Sequence, residues 1–148
     1  MKIIDSFSGS HAALSNFWMM PFDYKGKEYA SSEHAFNAMK ATNDADHELV
    51  RTQHLAREAK AKGRSIELRE NWDKIKYPIM QSILEAKFND PFHIACLLET
   101  KNALLVEGNT WHDNIWGDCT CGRESCKLTG ENALGVLLMM TRLKLSRR

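Results

Sequence analysis

Near the C-terminus, the eight residues from Ala133 to Met140 carry no charged or hydrogen-bonding side chain. They lie inside a longer helical stretch, Asn132 to Leu145. A helix that is apolar on nearly every side has to be enclosed by other elements. The stretch is therefore expected to form the central buried helix of one domain spanning residues 1–148. A chain of this length can bury roughly two thirds of its unfolded surface without disulfide or metal staples. The purely apolar part, Val136 to Met140, is far shorter than the ~20 residues of a membrane span, so no membrane partner is expected.

The other periodicities arrange shorter elements around that helix. Lys2 to Phe7 alternates like a short strand, and Met19 to Tyr29 reads as a hairpin or extended pair turning at Lys25-Gly26. Ser31-Ser32 offers a helix N-cap with Glu33 in the first turn, and this helix should run to about Ala41. His47 to Lys62 reads as one or two helices closed by Gly63. Trp72 to Phe88 keeps helical spacing, with a kink or break expected near Tyr77 because Pro78 removes a donor. Pro91 suits the first turn of a helix reaching Thr100, and Leu104 to Val106 reads as a short strand. The fold class is α+β: a predominantly helical single domain with a small antiparallel sheet.

Twenty Lys and Arg face 19 acids, for a net charge of +1, which is no footprint for nonspecific nucleic-acid binding. Nucleic acid remains a partner only as a modified substrate, since one flipped-out base needs little surface. The N-terminus shows no signal peptide, and four cysteines without one read as reduced thiols of a cytoplasmic protein. There is no phosphate-binding Gly-rich loop, no His-Glu-x-x-His and no Gly-x-Ser-x-Gly.

Three groups of residues can carry chemistry. In Trp111-His112-Asp113-Asn114-Ile115-Trp116-Gly117 a carboxylate lies between two indoles. This suits a sugar that gains positive charge as its bond to a base breaks; equally, the indoles can be core and Asp113 can cap a turn. On a helix, Glu33, Asn37 and Lys40 share a face, which is either a solvated stripe or one polar wall of a site. In the second case Glu33 is a general acid or base, or stabilises a cation, and Lys40 binds an anion or attacks a sugar carbon as an amine. Asn16 can orient a ligand or make a turn, and Arg64, just after a helix end, can grip phosphate or lie at the surface. The third group is Cys119-Thr120-Cys121-Gly122-Arg123-Glu124-Ser125-Cys126. These three thiols are read first as ordinary reduced cysteines; as metal ligands they would need Cys96 or His112 as a fourth.

Taken in order, these segments resemble the YbiA-like family, also called the NADAR superfamily, over nearly the whole chain. The resemblance runs through Leu14-Ser15-Asn16-Phe17, Ser32-Glu33-His34 with Lys40, Lys62-Gly63-Arg64 and Leu68-Arg69-Glu70-Asn71-Trp72. It continues through Asp113-Asn114-Ile115-Trp116-Gly117 to Gly130-Glu131-Asn132-Ala133-Leu134-Gly135. It implies a YbiA-like fold and N-glycosidase activity that needs no metal or organic cofactor. Family members hydrolyse ribosylamino-pyrimidine phosphates, the reactive intermediates of riboflavin synthesis, or remove ADP-ribose from guanine in nucleic acid. The alternative is a non-catalytic ADP-ribose-binding module. The small-molecule partner is thus a ribosylamine or an ADP-ribosyl compound.

Carried over by position, the resemblance implies a site of Glu33, Trp72, Asp113 and Trp116, with Arg64 and Lys40 beside them. Glu33, Asp113 and Lys40 are then the catalytic candidates, and Asn16, Asn37, Arg64, Trp72 and Trp116 the substrate-binding ones. Trp111 is expected to pack beneath them. Asn37 stands where many relatives have glutamine, and a cysteine-bearing insert lengthens the loop between Gly117 and Gly130.

Overall fold

In a computed structural model describing residues 1–148, the chain forms six helices, three two-stranded ladders and short 3-10 turns. Two compact units result: residues 16–89, and residues 1–15 with 90–148. The α+β class and the helical predominance agree with the sequence.

The unit of residues 16–89 opens with the hairpin β2 (Phe22–Tyr24) and β3 (Lys27–Tyr29), paired antiparallel. Its two turn residues, Lys25 and Gly26, both take positive φ, 51° and 80°, as a tight hairpin requires. Phe22, Tyr24 and Tyr29 point one face of the hairpin inward. Helix α1 (Ser32–Ala38) follows and is buried at every residue, against α2 (Asp44–Arg51), α3 (Ala56–Gly63) and α4 (Trp72–Lys87). A helix so enclosed has to satisfy its polar groups internally. Ser31 Oγ caps α1 by accepting from His34 N at 3.2 Å and lies 2.7 Å from His34 Nδ1. The other ring nitrogen, Nε2, lies 2.8 Å from the Gln53 carbonyl, which can only accept, so Nε2 carries the proton and Ser31 donates to Nδ1. Burial accordingly holds the His34 imidazole below its ordinary pKa.

Helix α4 runs unbroken through Pro78, where a kink or break was expected. The bond that proline forfeits is to the carbonyl of Lys74, four residues back. Lys74 and Pro78 are both exposed, so water can satisfy that carbonyl.

The second unit holds β1 (Ile3–Ile4) paired with β4 (Leu104–Leu105), and β5 (Gly108–Asn109) paired with β6 (Asp118–Cys119), both in parallel. The small antiparallel sheet is thus the β2–β3 hairpin alone. Helix α5 (Pro91–Leu98) starts with Pro91 in its first turn, capped by Asp90, whose carboxylate accepts from His93 N at 3.0 Å. Helix α6 (Ala133–Ser146) packs on α5 and β4. Leu134, Leu138 and Leu145 are buried there, while Val136, Met140 and Leu143 are 44%, 47% and 53% exposed. The expectation of a central helix enclosed on all sides is corrected: α6 covers one face, and the fully enclosed helix is the polar α1. No helix is long and apolar enough to cross a membrane.

Replacing Ser31 by alanine removes the α1 cap and leaves His34 Nδ1 without its donor. Loss of a cap costs ~1 kcal/mol and a buried unsatisfied group a similar amount. The melting midpoint of Ser31→Ala should fall by roughly 4–8 °C, read by differential scanning calorimetry; an unchanged midpoint would show that the pair contributes nothing.

Candidate active site

The polar stripe of α1 is a buried row, not a solvated surface. Glu33 is 8% exposed and Asn37 1%. Asn37 Nδ2 donates to Glu33 Oε1 and to the Glu33 carbonyl, each at 2.9 Å. Asn37 Oδ1 in turn accepts from Lys40 Nζ at 2.9 Å. The helix ends sooner than expected, at Ala38, and tightens into bonds of three-residue span, from Lys40 N to Asn37 O and from Ala41 N to Ala38 O. That tightening sets Lys40 one turn above Asn37, where its ammonium reaches the amide.

Asn16 holds the other end of the row. Its carbonyl accepts from Glu33 N at 3.0 Å, and its side-chain oxygen accepts from Ser32 Oγ at 2.8 Å. Asn16 is therefore buried and engaged in placing Glu33. Gly63, the last residue of α3, lets that helix approach the row. A Cβ at Gly63 would stand 2.3 Å from Asn37 Oδ1. Trp72, the first residue of α4, is buried with its ring 5.1 Å from that of Phe36. Lys40 Nζ lies 5.5 Å from the centre of the same Phe36 ring.

Cations gather around this row. Burial lowers the pKa of Lys40; the Glu33 carboxylate pulls it back up, and the charges of Arg64, Lys60 and Lys76 push it further down. Arg64 is exposed beyond the end of α3, while Lys76 is largely buried on α4. Sequence reasoning missed Lys60 and Lys76, and read Ser32 only as part of a cap and Gly63 only as a helix end. The two lysines fall within ordinary charged helices, and the need for glycine at residue 63 exists only against Asn37.

Asp113 and Trp116 belong to the other unit, on the loop between β5 and β6. Asp113 Oδ1 accepts from the backbone N–H groups of Ile115 and Trp116 at 3.1 and 2.9 Å, so this carboxylate does cap a turn. Asn109, which the sequence did not flag, ties that turn down: Nδ2 donates to Asp113 O at 2.7 Å, and Oδ1 accepts from Asp113 N at 3.1 Å. Trp116 is half-buried. Trp111 is 59% exposed, which corrects the expectation that it packs beneath the site. The structure thus joins Glu33, Asn37, Lys40 and Asn16 directly, with Trp72 and Arg64 beside them, and sets Asp113 and Trp116 on a loop of their own.

A family model described as the NADAR domain matches residues 6–146. The chain belongs to the NADAR family. It is 35% identical over 144 residues to N-glycosidase YbiA of Escherichia coli, covering 95% of this chain and 86% of that protein. Its fold superposes on the NMR structure of the same E. coli protein with a TM-score of 0.84 and 36% identity, covering 99% and 86% of the two chains. It is 33% identical over 138 residues to the N-glycosidase Npun_R5314 of Nostoc punctiforme, covering 89% and 84%. A riboflavin biosynthesis protein of Vibrio vulnificus is 28% identical over 138 residues, covering 92% of this chain and 36% of that one.

Two outcomes test this candidate site. Gly63→Ala should displace Asn37 and lower kcat/KM by at least about tenfold, the effect of a misplaced positioning group, while the far-UV circular dichroism is retained. Lys40 also makes stability depend on pH. Between its lowered folded pKa and the 10.5 of the unfolded chain, the unfolded state binds the extra proton, so stability rises with pH across that window. The stability difference between wild type and Lys40→Met, read by urea unfolding, should therefore shift in favour of wild type as pH rises from neutral to alkaline. A difference constant with pH would mean an unperturbed lysine.

Proposed function

We propose that the substrate of this N-glycosidase, a hydrolase acting on N-glycosyl bonds, is a base joined through nitrogen to C1 of a 5-phosphorylated ribose. Ribosylamino-pyrimidine phosphates of riboflavin synthesis are its preferred class, with residues 1–148 working as one domain. The observation that carries this reading is the buried Glu33 carboxylate, held by Asn37 beside a group of four cations, Lys40, Lys60, Arg64 and Lys76. As the N-glycosyl bond breaks, positive charge develops at C1, and a carboxylate that is already oriented stabilises it without reorganising. Alone, the four cations would oppose that charge. A phosphate bound among them cancels the excess, so the 5-phosphate is part of the chemistry and not only a handle. The relatives named N-glycosidases and the one named for riboflavin biosynthesis support the same reading.

In the direct route, Glu33 stabilises the cationic ribose or takes a proton from the attacking water, the base leaves with a proton, and water supplies the new hydroxyl at C1. Asp113 is the other candidate for this carboxylate role; Trp72 and Trp116 are candidates to stack on the base or sugar. A covalent route is favoured by the place of Lys40, half-buried with its Nζ 2.9 Å from Asn37 Oδ1 and next to Glu33, where burial lowers its pKa. Its neutral amine would attack C1 of the opened ribose, expel the base amine and form an imine, which water then hydrolyses.

The deciding experiment offers the purified protein a ribosylamino-pyrimidine 5-phosphate, its dephosphorylated form and ADP-ribosylated guanosine, and separates the products by chromatography. Ribose 5-phosphate should be released, and loss of the phosphate should lower kcat/KM by ~10²-fold or more, the worth of one to two charge-assisted contacts. Glu33→Gln should cost about 10²–10⁴-fold in rate with the fold intact, and Asp113→Asn is compared beside it. ADP-ribose as the main product would move the substrate to modified guanine. Binding without release of any base would leave only a binding module. Borohydride trapping of an adduct that vanishes in Lys40→Ala would select the covalent route.

A further inference from the structure

The insert between Gly117 and Gly130 brings its three cysteines to one histidine. His112 Nδ1 lies 3.8, 3.4 and 3.5 Å from the Sγ atoms of Cys119, Cys121 and Cys126, and the four atoms all lie within 4.8 Å of one another. None of the chain's four cysteines is in a disulfide, and Cys96 is outside the group. Hydrogen bonding does not account for this convergence. An imidazole nitrogen has either one proton or one lone pair, so it can serve one of the three sulfurs and not all of them. An ion at the centre accounts for all three distances. Zn–S bonds of about 2.3 Å and Zn–N bonds of about 2.0–2.1 Å place nitrogen and sulfur about 3.6 Å apart in a tetrahedron.

We propose that His112 Nδ1 and the thiolates of Cys119, Cys121 and Cys126 bind one Zn²⁺ in a closed, four-coordinate structural site. The neighbouring groups fit thiolates. Asn114 Nδ2 donates to Cys126 Sγ at 3.3 Å, and Arg123 N donates to Cys121 Sγ at 3.4 Å, as outer contacts of a metal site do. Asn114 Oδ1 also accepts from Cys119 N at 2.9 Å, fixing the first thiol's backbone. His112 takes φ of +71°, an uncommon conformation for a non-glycine residue, and its ring reaches the sulfurs from there. Cys119 and Cys126 are buried while His112 is exposed, which leaves a path for the ion. Binding breaks three S–H bonds, forms three Zn–S bonds and one Zn–N bond, and releases three protons to solvent; no electron moves. Four protein ligands leave no open position for substrate or water, so the role is to hold the chain. The ligands flank residues 113–118, so the ion staples the segment carrying Asp113 and Trp116. The assignment does not depend on the proposed substrate.

The test uses the full chain purified without chelators from zinc-supplemented cells. Plasma mass spectrometry should find about one zinc per chain, retained in Cys96→Ser and lost in Cys121→Ser and Cys126→Ser. Should those variants fail to fold, the wild type still decides. Titration with a mercurial should release zinc in step with three thiols, and cobalt(II) exchanged into the site should show the intense visible absorption of a tetrahedral thiolate complex. Removing zinc should lower the melting midpoint of the wild type and leave Cys121→Ser unaffected. A chain whose four thiols react freely with zinc present, one that purifies with two of these cysteines in a disulfide, or one whose zinc survives both substitutions would overturn the proposal.

Discussion

An acid and an amide on α1 and an amine just past its end, Glu33, Asn37 and Lys40, form a single hydrogen-bonded row in which the first two are buried and the amine is half-buried. Taking a carboxylate and an ammonium out of water costs several kcal/mol each unless both are satisfied. The amide between them makes this tolerable: Asn37 donates to Glu33 with its nitrogen and accepts from Lys40 with its oxygen. Its shortness matters, because Gly63 of α3 packs directly on it, and a longer side chain would meet that helix. The cap at Ser31, the imidazole of His34 and the carbonyl of Asn16 all follow from enclosing so polar a helix, since each satisfies a group that water cannot reach.

The same enclosure sets the electrostatics. The Lys40 ammonium donates to the amide oxygen of Asn37 in this row. Lys40, pressed by burial and by three other cations, is less basic than a surface lysine.

Local patterns were legible wherever the physics is local. The hairpin at Lys25-Gly26, the Ser31 cap, the proline start of α5 and the shared face of Glu33, Asn37 and Lys40 depend on residues a few positions apart, and each stands where the sequence places it. What failed was global. Hydrophobicity pointed to α6 as the enclosed helix, yet enclosure depends on how many neighbours surround an element, and the polar α1 has more of them. Pro78 leaves a kink or a break open, and the break does not occur because its orphaned carbonyl is on an exposed residue, which the sequence does not show. The choice between solvated stripe and buried row was open for the same reason, as were the contributions of Lys60 and Lys76, which come from two different helices.

The cysteine insert shows the opposite relation between pattern and structure. Its spacing, with one residue between the first two cysteines and four before the third, does not by itself name a metal, and the fourth ligand precedes the first by seven positions. Only the turn at residues 109–116 brings that histidine back over the thiols, and the turn is organised by Asn109 and by the Asp113 carboxylate capping Ile115 and Trp116. Asp113 thus serves a local structural purpose whatever its chemistry. A loop that is lengthened by an insert gains chain entropy on unfolding, and a four-ligand ion is a direct way to offset it. His112 lies inside that turn, and Asn114 beside it donates to Cys126 Sγ and accepts from Cys119 N, so the staple and the turn hold one and the same segment.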